Sequence, residues 1–164
     1  MKVVILATHE TLFLNNFVSS LQNARIDPII LGSNEEWRGW RWRLEKYLEQ
    51  CNSISKQNPN ELVVFSDAFD VLCIRNDVIE SFENTFKSFG SDIVFSSEWW
   101  CGSLKNCGKT KRFGETDICP IKNESKSKNV NVGFVCGTAA SLSSMYTSVL
   151  NMNVDEPFDD QKVI

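Results

Sequence analysis

Two acids, Asp67 and Asp70, close the stretch Val63-Val64-Phe65-Ser66-Asp67-Ala68-Phe69-Asp70-Val71. Carboxylates this near in sequence repel each other unless a cation or a proton lies between them. A hard divalent ion such as Mn²⁺ or Mg²⁺ takes oxygen ligands and would remove that repulsion. The chemistry this predicts is a metal–diphosphate site, in which the acids hold the metal and the metal holds the diphosphate of a nucleotide. A purely structural use stands beside it, with Asp67 capping the following turn and Asp70 opening a helix. A phosphatase-like nucleophile at Asp67 fits less well, because the usual pattern there is Asp-x-Asp.

Three further stretches carry chemistry. Glu35-Glu36-Trp37-Arg38-Gly39-Trp40-Arg41-Trp42-Arg43 alternates rings with guanidinium groups. Arginine pairs with phosphate through a planar fork, and tryptophan offers a flat stacking face. The stretch reads either as a loop covering a nucleotide or sugar, or as a helix start with arginines packed on Trp rings. Ser96-Ser97-Glu98-Trp99-Trp100 places a carboxylate and two rings after an apolar run, suited to a sugar platform or to loop packing. Pro157-Phe158-Asp159-Asp160-Gln161 looks like a capped helix start, whose acids complement the helix dipole.

The elements that must position these residues follow from periodicity. Val3–Ala7, Asp27–Leu31, Leu62–Phe65, Asp92–Phe95 and Val130–Gly137 are short apolar runs that read as strands of a mostly parallel, doubly covered sheet. Between them, Glu10–Asn23 carries Leu12, Phe13, Phe17 and Leu21 at helical spacing. A helix from about Arg43 to Cys51 follows, then a polar linker from Cys51 to Asn60. Asn76–Phe89 and Ala139–Leu150 complete the helices. Open α/β sheets bind ligands at the carboxyl ends of their strands, which is where Asp67 and Asp70 fall. Asn131 and Gly133, inside a strand, suggest a close approach of backbone to ligand. Gly102–Asn129 is a long polar stretch of the kind that serves function or solvation.

The chain as a whole bounds the answer. Its 164 residues suffice for one domain with a real core, and 42% apolar residues argue for a folded protein. A net charge of −4 argues against a nucleic-acid binder. No apolar run approaches membrane-spanning length, and no signal peptide precedes the first strand. The compartment stays open between cytoplasm and secretory lumen. No C-x-x-C pair occurs among the six cysteines, which disfavours zinc. Cys73 and Cys136 look like small buried hydrophobes, whereas Cys101, Cys107 and Cys119 share one stretch that could hold a disulfide.

In order, these blocks resemble the glycosyltransferase domain of the procollagen lysyl hydroxylase/collagen glycosyltransferase family, including viral relatives. The resemblance rests on Leu31-Gly32 with Glu35-Glu36-Trp37-Arg38-Gly39, on Phe65-Ser66-Asp67-Ala68-Phe69-Asp70-Val71, on Val94-Phe95-Ser96-Ser97-Glu98 with Cys101, on Asn131-Val132-Gly133-Phe134, and on Asp159-Asp160-Gln161. It covers nearly the whole chain. It implies an α/β fold of the GT-A type, a Rossmann-like nucleotide-binding domain that takes a UDP-sugar with Mn²⁺ (or Mg²⁺). The acceptor it implies is a glycan or a collagen-like protein, such as hydroxylysine or galactosyl-hydroxylysine. Asp67 and Asp70 match the metal pair, and Phe69 the aromatic residue against the uridine. Thr8 matches a nucleotide-contacting position, and Trp37 part of the covering loop. Glu98, Asn131, Asp159 and Asp160 match positions around the donor sugar and acceptor. Of these, Asp159 or Asp160 is the expected base, with Glu98 second.

The sequence also departs from the family pattern. A glycine-rich segment with a lysine is shortened to Trp40-Arg41-Trp42-Arg43, so Arg41 is expected in the lysine's place on the donor. The family's Asn-Ser-Gly-Gly becomes Asn131-Val132-Gly133-Phe134. The family's remaining metal ligand, a histidine, would lie beyond Ile164, which suggests a truncated domain with further domains following. A degenerate domain kept for binding or interdomain contacts is the rival expectation.

Overall fold

The computed structural model describes residues 1–75, 77–98 and 129–152, with residues 98 and 129 as backbone only. In chain order the elements are β1 (Lys2–Leu6), α1 (Leu12–Asn23), β2 (Ile29–Leu31), α2 (Trp40–Gln57), β3 (Leu62–Ser66), α3 (Val78–Ser88), β4 (Ile93–Glu98), β5 (Asn129–Thr138) and α4 (Ala139–Leu150). The strands form one sheet in the order β2-β1-β3-β5-β4. β2, β1 and β3 pair in parallel, with Val4 opposite Ile29 and Val3 opposite Val64. β5 lies antiparallel between β3 and β4, so β4 again runs in the direction of β3. Four of the five strands therefore point the same way, giving the mostly parallel sheet between helices that the sequence leads to.

Side-chain alternation along each strand explains why the strand runs are apolar throughout. Val3, Ile5, Ala7, Val64 and Cys136 face one side, where Leu14, Phe17 and Leu21 of α1 cover them. Val4, Leu6, Val63, Phe65 and Val135 face the other, against Tyr47, Cys51 and Ile54 of α2 and Leu142 and Tyr146 of α4. With both faces buried, a period of two shows no polar partner. On the second side Phe65, Tyr47 and Tyr146 form an aromatic knot, the first two stacked with centroids 4.1 Å apart. α1 starts later than its apolar pattern because Thr11 is its N-cap, its hydroxyl accepting from the Leu14 N–H at 3.1 Å. Thr138 caps α4 in the same way.

α2 differs most from expectation. It begins at Trp40 and continues to Gln57, through residues 51–57 that the sequence reading assigns to a polar linker. Leu44, Tyr47, Cys51 and Ile54 explain this: they lie at helical spacing and are all buried. Pro59 follows and ends the run. Burial pushes the Cys51 thiol up to about 12, so it is a protonated core group. Cys136 is likewise buried, whereas Cys73 is half-buried. Cys101, Cys107 and Cys119 lie outside the described residues. Among the described residues, no helix is long and apolar enough to cross a membrane.

Candidate active site

The carboxyl end of β3 opens into a cavity of about 500 Å³. Thr8 and His9 reach it from the end of β1, Asp67, Ala68, Phe69 and Asp70 from the end of β3, and Trp40, Arg43 and Tyr47 from the start of α2, while Trp37 closes one side. Five of the residues expected from sequence thus meet in one place: Thr8, Trp37, Asp67, Phe69 and Asp70. The edge is the one where parallel α/β sheets present ligand sites. Residues 68–70 bend and residues 71–75 stay non-helical, with α3 beginning only at Val78, so Asp70 does not open a helix.

Asp67 is held from three directions. Its N–H donates to the Gly133 carbonyl at 2.7 Å, extending the β3–β5 pairing by one step. Its Oδ1 accepts from Arg43 Nη1 at 3.1 Å. Its Oδ2 occupies the space into which a Cβ at residue 133 would project, and that Cβ would collide with it. Gly133 is therefore a requirement of close approach rather than of a turn. The irregularity that brings it there is visible in the register. Phe95 faces Val135, yet the next residue, Ser96, faces Asn131, so residues 132–134 bow out of the ladder with β4. Asn131 stabilises the bow, its Oδ1 accepting from the Gly133 N–H at 2.7 Å.

Burial is the largest influence on the half-exposed Asp67 and pushes its carboxyl above the usual range. Arg43 opposes that rise, and the nearby charge of Asp70 adds to it. Arg43 itself is buried, a rare place for a charge without a partner. Asp67 supplies the counter-charge, and the rings of Trp40 and Tyr47 lie 4.7 and 5.9 Å from the guanidinium carbon.

Arg41, expected on the donor, lies elsewhere. Its Nη2 donates to the Leu150 carbonyl at 2.9 Å, and its Nε is 3.6 Å from Glu45. The reason is helical geometry: residues three apart share a face and residues one apart do not. Trp40, Arg43 and Tyr47 therefore face the cavity, while Arg41 turns toward the end of α4. Arg43 is the site residue that the sequence reading missed. The signal was its spacing from Tyr47, legible only if the helix begins at Trp40.

The aromatic residues are anchored as well. Trp37 meets Trp40 and Trp42 edge to face at 5.1 and 5.7 Å. Lys46 ties the same segment down through Glu35 at 2.6 Å. Phe69 stacks on His9 at 5.3 Å, and the Thr8 hydroxyl lies 3.2 Å from His9 Nδ1. Glu98 ends β4 opposite Asn129, its side chain outside the description, and Asp159 and Asp160 lie outside the described residues.

The donor set suits a hard divalent cation, since Asp67 and Asp70 offer carboxylate oxygens in a partly open cavity. Among the described residues no group of three or more His, Cys, Asp or Glu side chains forms a fuller cage. Two protein carboxylates with the remaining positions left to other oxygens is a usual pattern where the metal also holds phosphate.

The crystal structure of A197 from STIV is similar over 96% of this chain and 70% of its own, at 15% identity and a TM-score of 0.49. A glycosyltransferase involved in glycosylation of the major capsid of PBCV-1 is similar over 99% of this chain and 75% of its own, at 10% identity and a TM-score of 0.42. Procollagen-lysine,2-oxoglutarate 5-dioxygenase of Drosophila melanogaster is 29% identical over 126 residues, which is 68% of this chain. The chain spans 17% of the length of that relative. The family model described as the PLOD GT domain matches residues 1–162, and the chain belongs to that family of glycosyltransferase domains.

Proposed function

We propose that this domain transfers a hexose from a UDP-sugar to a hydroxyl acceptor, with Mn²⁺ or Mg²⁺ held by Asp67 and Asp70. The observation that carries this reading is the pair of carboxylates at the end of β3, inside a cavity also lined by Thr8, Trp37 and Phe69. The family assignment sets the reaction class. When bound, the cation would act as a Lewis acid on the leaving diphosphate, whose negative charge grows as the sugar–phosphate bond breaks.

The chain's own residues divide the remaining work. Phe69 and Trp37 offer flat, partly exposed faces for the base or the sugar. Thr8 lines the cavity, and its hydroxyl would hydrogen-bond the nucleotide. Gly133 leaves the space in which the Asp67 carboxylate sits, and Asn131 fixes the backbone of Gly133. Asp159 or Asp160 takes the acceptor proton as general base, with Glu98 the second candidate. The similar fly protein is named for the lysine of procollagen, and the acceptor proposed by extension is hydroxylysine or galactosyl-hydroxylysine of a collagen-like protein.

The test is Mn²⁺-dependent hydrolysis of UDP-sugars by Asp67→Ala and Asp70→Ala. Each substitution should lower turnover by about 100-fold or more, the usual loss when charge stabilisation at the leaving group is removed. Unchanged turnover in both would refute the reading. One observation favours a second reading, a degenerate domain kept for binding another partner or for interdomain contacts: the Arg43–Asp67 ion pair already neutralises one of the two acids. Calorimetric titration with UDP and Mn²⁺ separates the two, since a degenerate domain binds this pair weakly or not at all.

A further inference from the structure

We infer that Arg43 is a positioning residue that makes cation binding at Asp67 and Asp70 conditional on the nucleotide. The inference rests on the metal–diphosphate reading and extends it. Among the described residues, the charged groups lining the cavity are Asp67, Asp70 and Arg43, and these three together carry one net negative charge. Arg43 is no surface side chain that can swing into water. It is buried on α2, packed beside the rings of Trp40 and Tyr47, and bonded to Asp67 Oδ1 at 3.1 Å.

With no nucleotide present, the Arg43 guanidinium repels a divalent cation and occupies one of the oxygens that cation would use. A diphosphate attracts the same guanidinium and takes over its hydrogen bond, which frees the Asp67 oxygen for the cation. A divalent cation alone turns the summed charge of these three groups from one negative to one positive. A sugar diphosphate, a dianion, then restores the original balance. The site is matched to the pair of ligands together and not to the metal by itself. Such linkage is reciprocal: whatever factor UDP adds to Mn²⁺ affinity, Mn²⁺ adds to UDP affinity.

Arg43 also turns the Asp67 carboxylate, whose other oxygen is confined by Gly133. A lysine would keep the charge and lose the planar fork. Arg43→Lys should therefore preserve the coupling between ligands while loosening both. Arg43→Met removes the charge and keeps much of the bulk.

The experiment measures Mn²⁺ affinity by electron paramagnetic resonance, with and without saturating UDP, in the wild-type chain and both variants, with circular dichroism as a check on folding. In the wild type, UDP should tighten Mn²⁺ binding by about tenfold or more, within the usual range of coupling between sites. In Arg43→Met, Mn²⁺ alone should bind more tightly than in the wild type and the UDP effect should shrink severalfold. Arg43→Lys should keep the wild-type ratio. If the wild type binds both ligands without coupling, or Arg43→Met folds and keeps the full ratio, the inference is overturned while the metal–diphosphate reading stands. If the wild type binds neither ligand, that reading fails first and the inference with it. Should Arg43→Met not fold, Arg43→Gln removes the same charge with a polar side chain, and its ratio is read against the same two outcomes.

Discussion

Asp67 is shaped by what touches it more than by its own chemistry. One oxygen is taken by Arg43, the other sits in the space left by a missing Cβ, and its backbone is fixed to β5. Gly133→Ala tests that arrangement without changing a single charge. The added methyl must displace either the Asp67 carboxylate or the bowed backbone, a cost of about 1–3 kcal/mol for overpacking. The expected outcome is a lower melting temperature and loss of joint UDP and Mn²⁺ binding by calorimetry. Wild-type values in both would show that residue 133 does not set the carboxylate. At this scale Asp67, Asp70 and Gly133 were legible in the sequence, because acids at the end of an apolar run and a glycine within a strand each have few physical uses. Arg43 was not. Alternating Trp and Arg residues suit a ligand-covering loop and a helix start equally, and only the helical phase separates Arg43 from Arg41.

The elements show where pattern and structure part company. The strands and the helices α1, α3 and α4 fall within a few residues of their apolar patterns, since burial on both faces of the sheet demands such runs. α2 runs longer than its pattern because Cys51 and Ile54 hold it to the core through a stretch rich in polar residues. Ile54→Ala should therefore cost about 2 kcal/mol or more, as a truncated core residue does, where a linker residue would cost a few tenths. Chemical denaturation distinguishes these values, and a change below 0.5 kcal/mol would mean that Ile54 is not part of the packed helix (about the limit for a surface substitution). The reversed direction of β5 was beyond the sequence, because an apolar run carries no sign of the direction in which its strand is paired. Yet that reversal matters for the site. It lets the bow at residues 132–134 meet the end of β3, so that Gly133 faces Asp67 instead of lying at the far edge of the sheet.

Taken whole, the molecule divides its two faces unequally. The side covered by α2 and α4 is closed by the aromatic knot of Phe65, Tyr47 and Tyr146. The other side is closed by α1 but only loosely by α3, which buries none of its residues fully despite its apolar stripe. The site lies at the carboxyl end of the sheet, where the tightly packed α2 delivers Arg43 and the rings of Trp40 and Tyr47 to the acids of β3. We propose that Asp67 and Asp70 jointly hold a divalent cation that in turn holds a sugar nucleotide's diphosphate. Crystals grown with Mn²⁺ and UDP, measured at a wavelength where manganese scatters anomalously, should show an anomalous peak bonded to both carboxylates with the diphosphate of UDP against it; a peak elsewhere, or UDP bound with no peak between the two acids, would refute such a site.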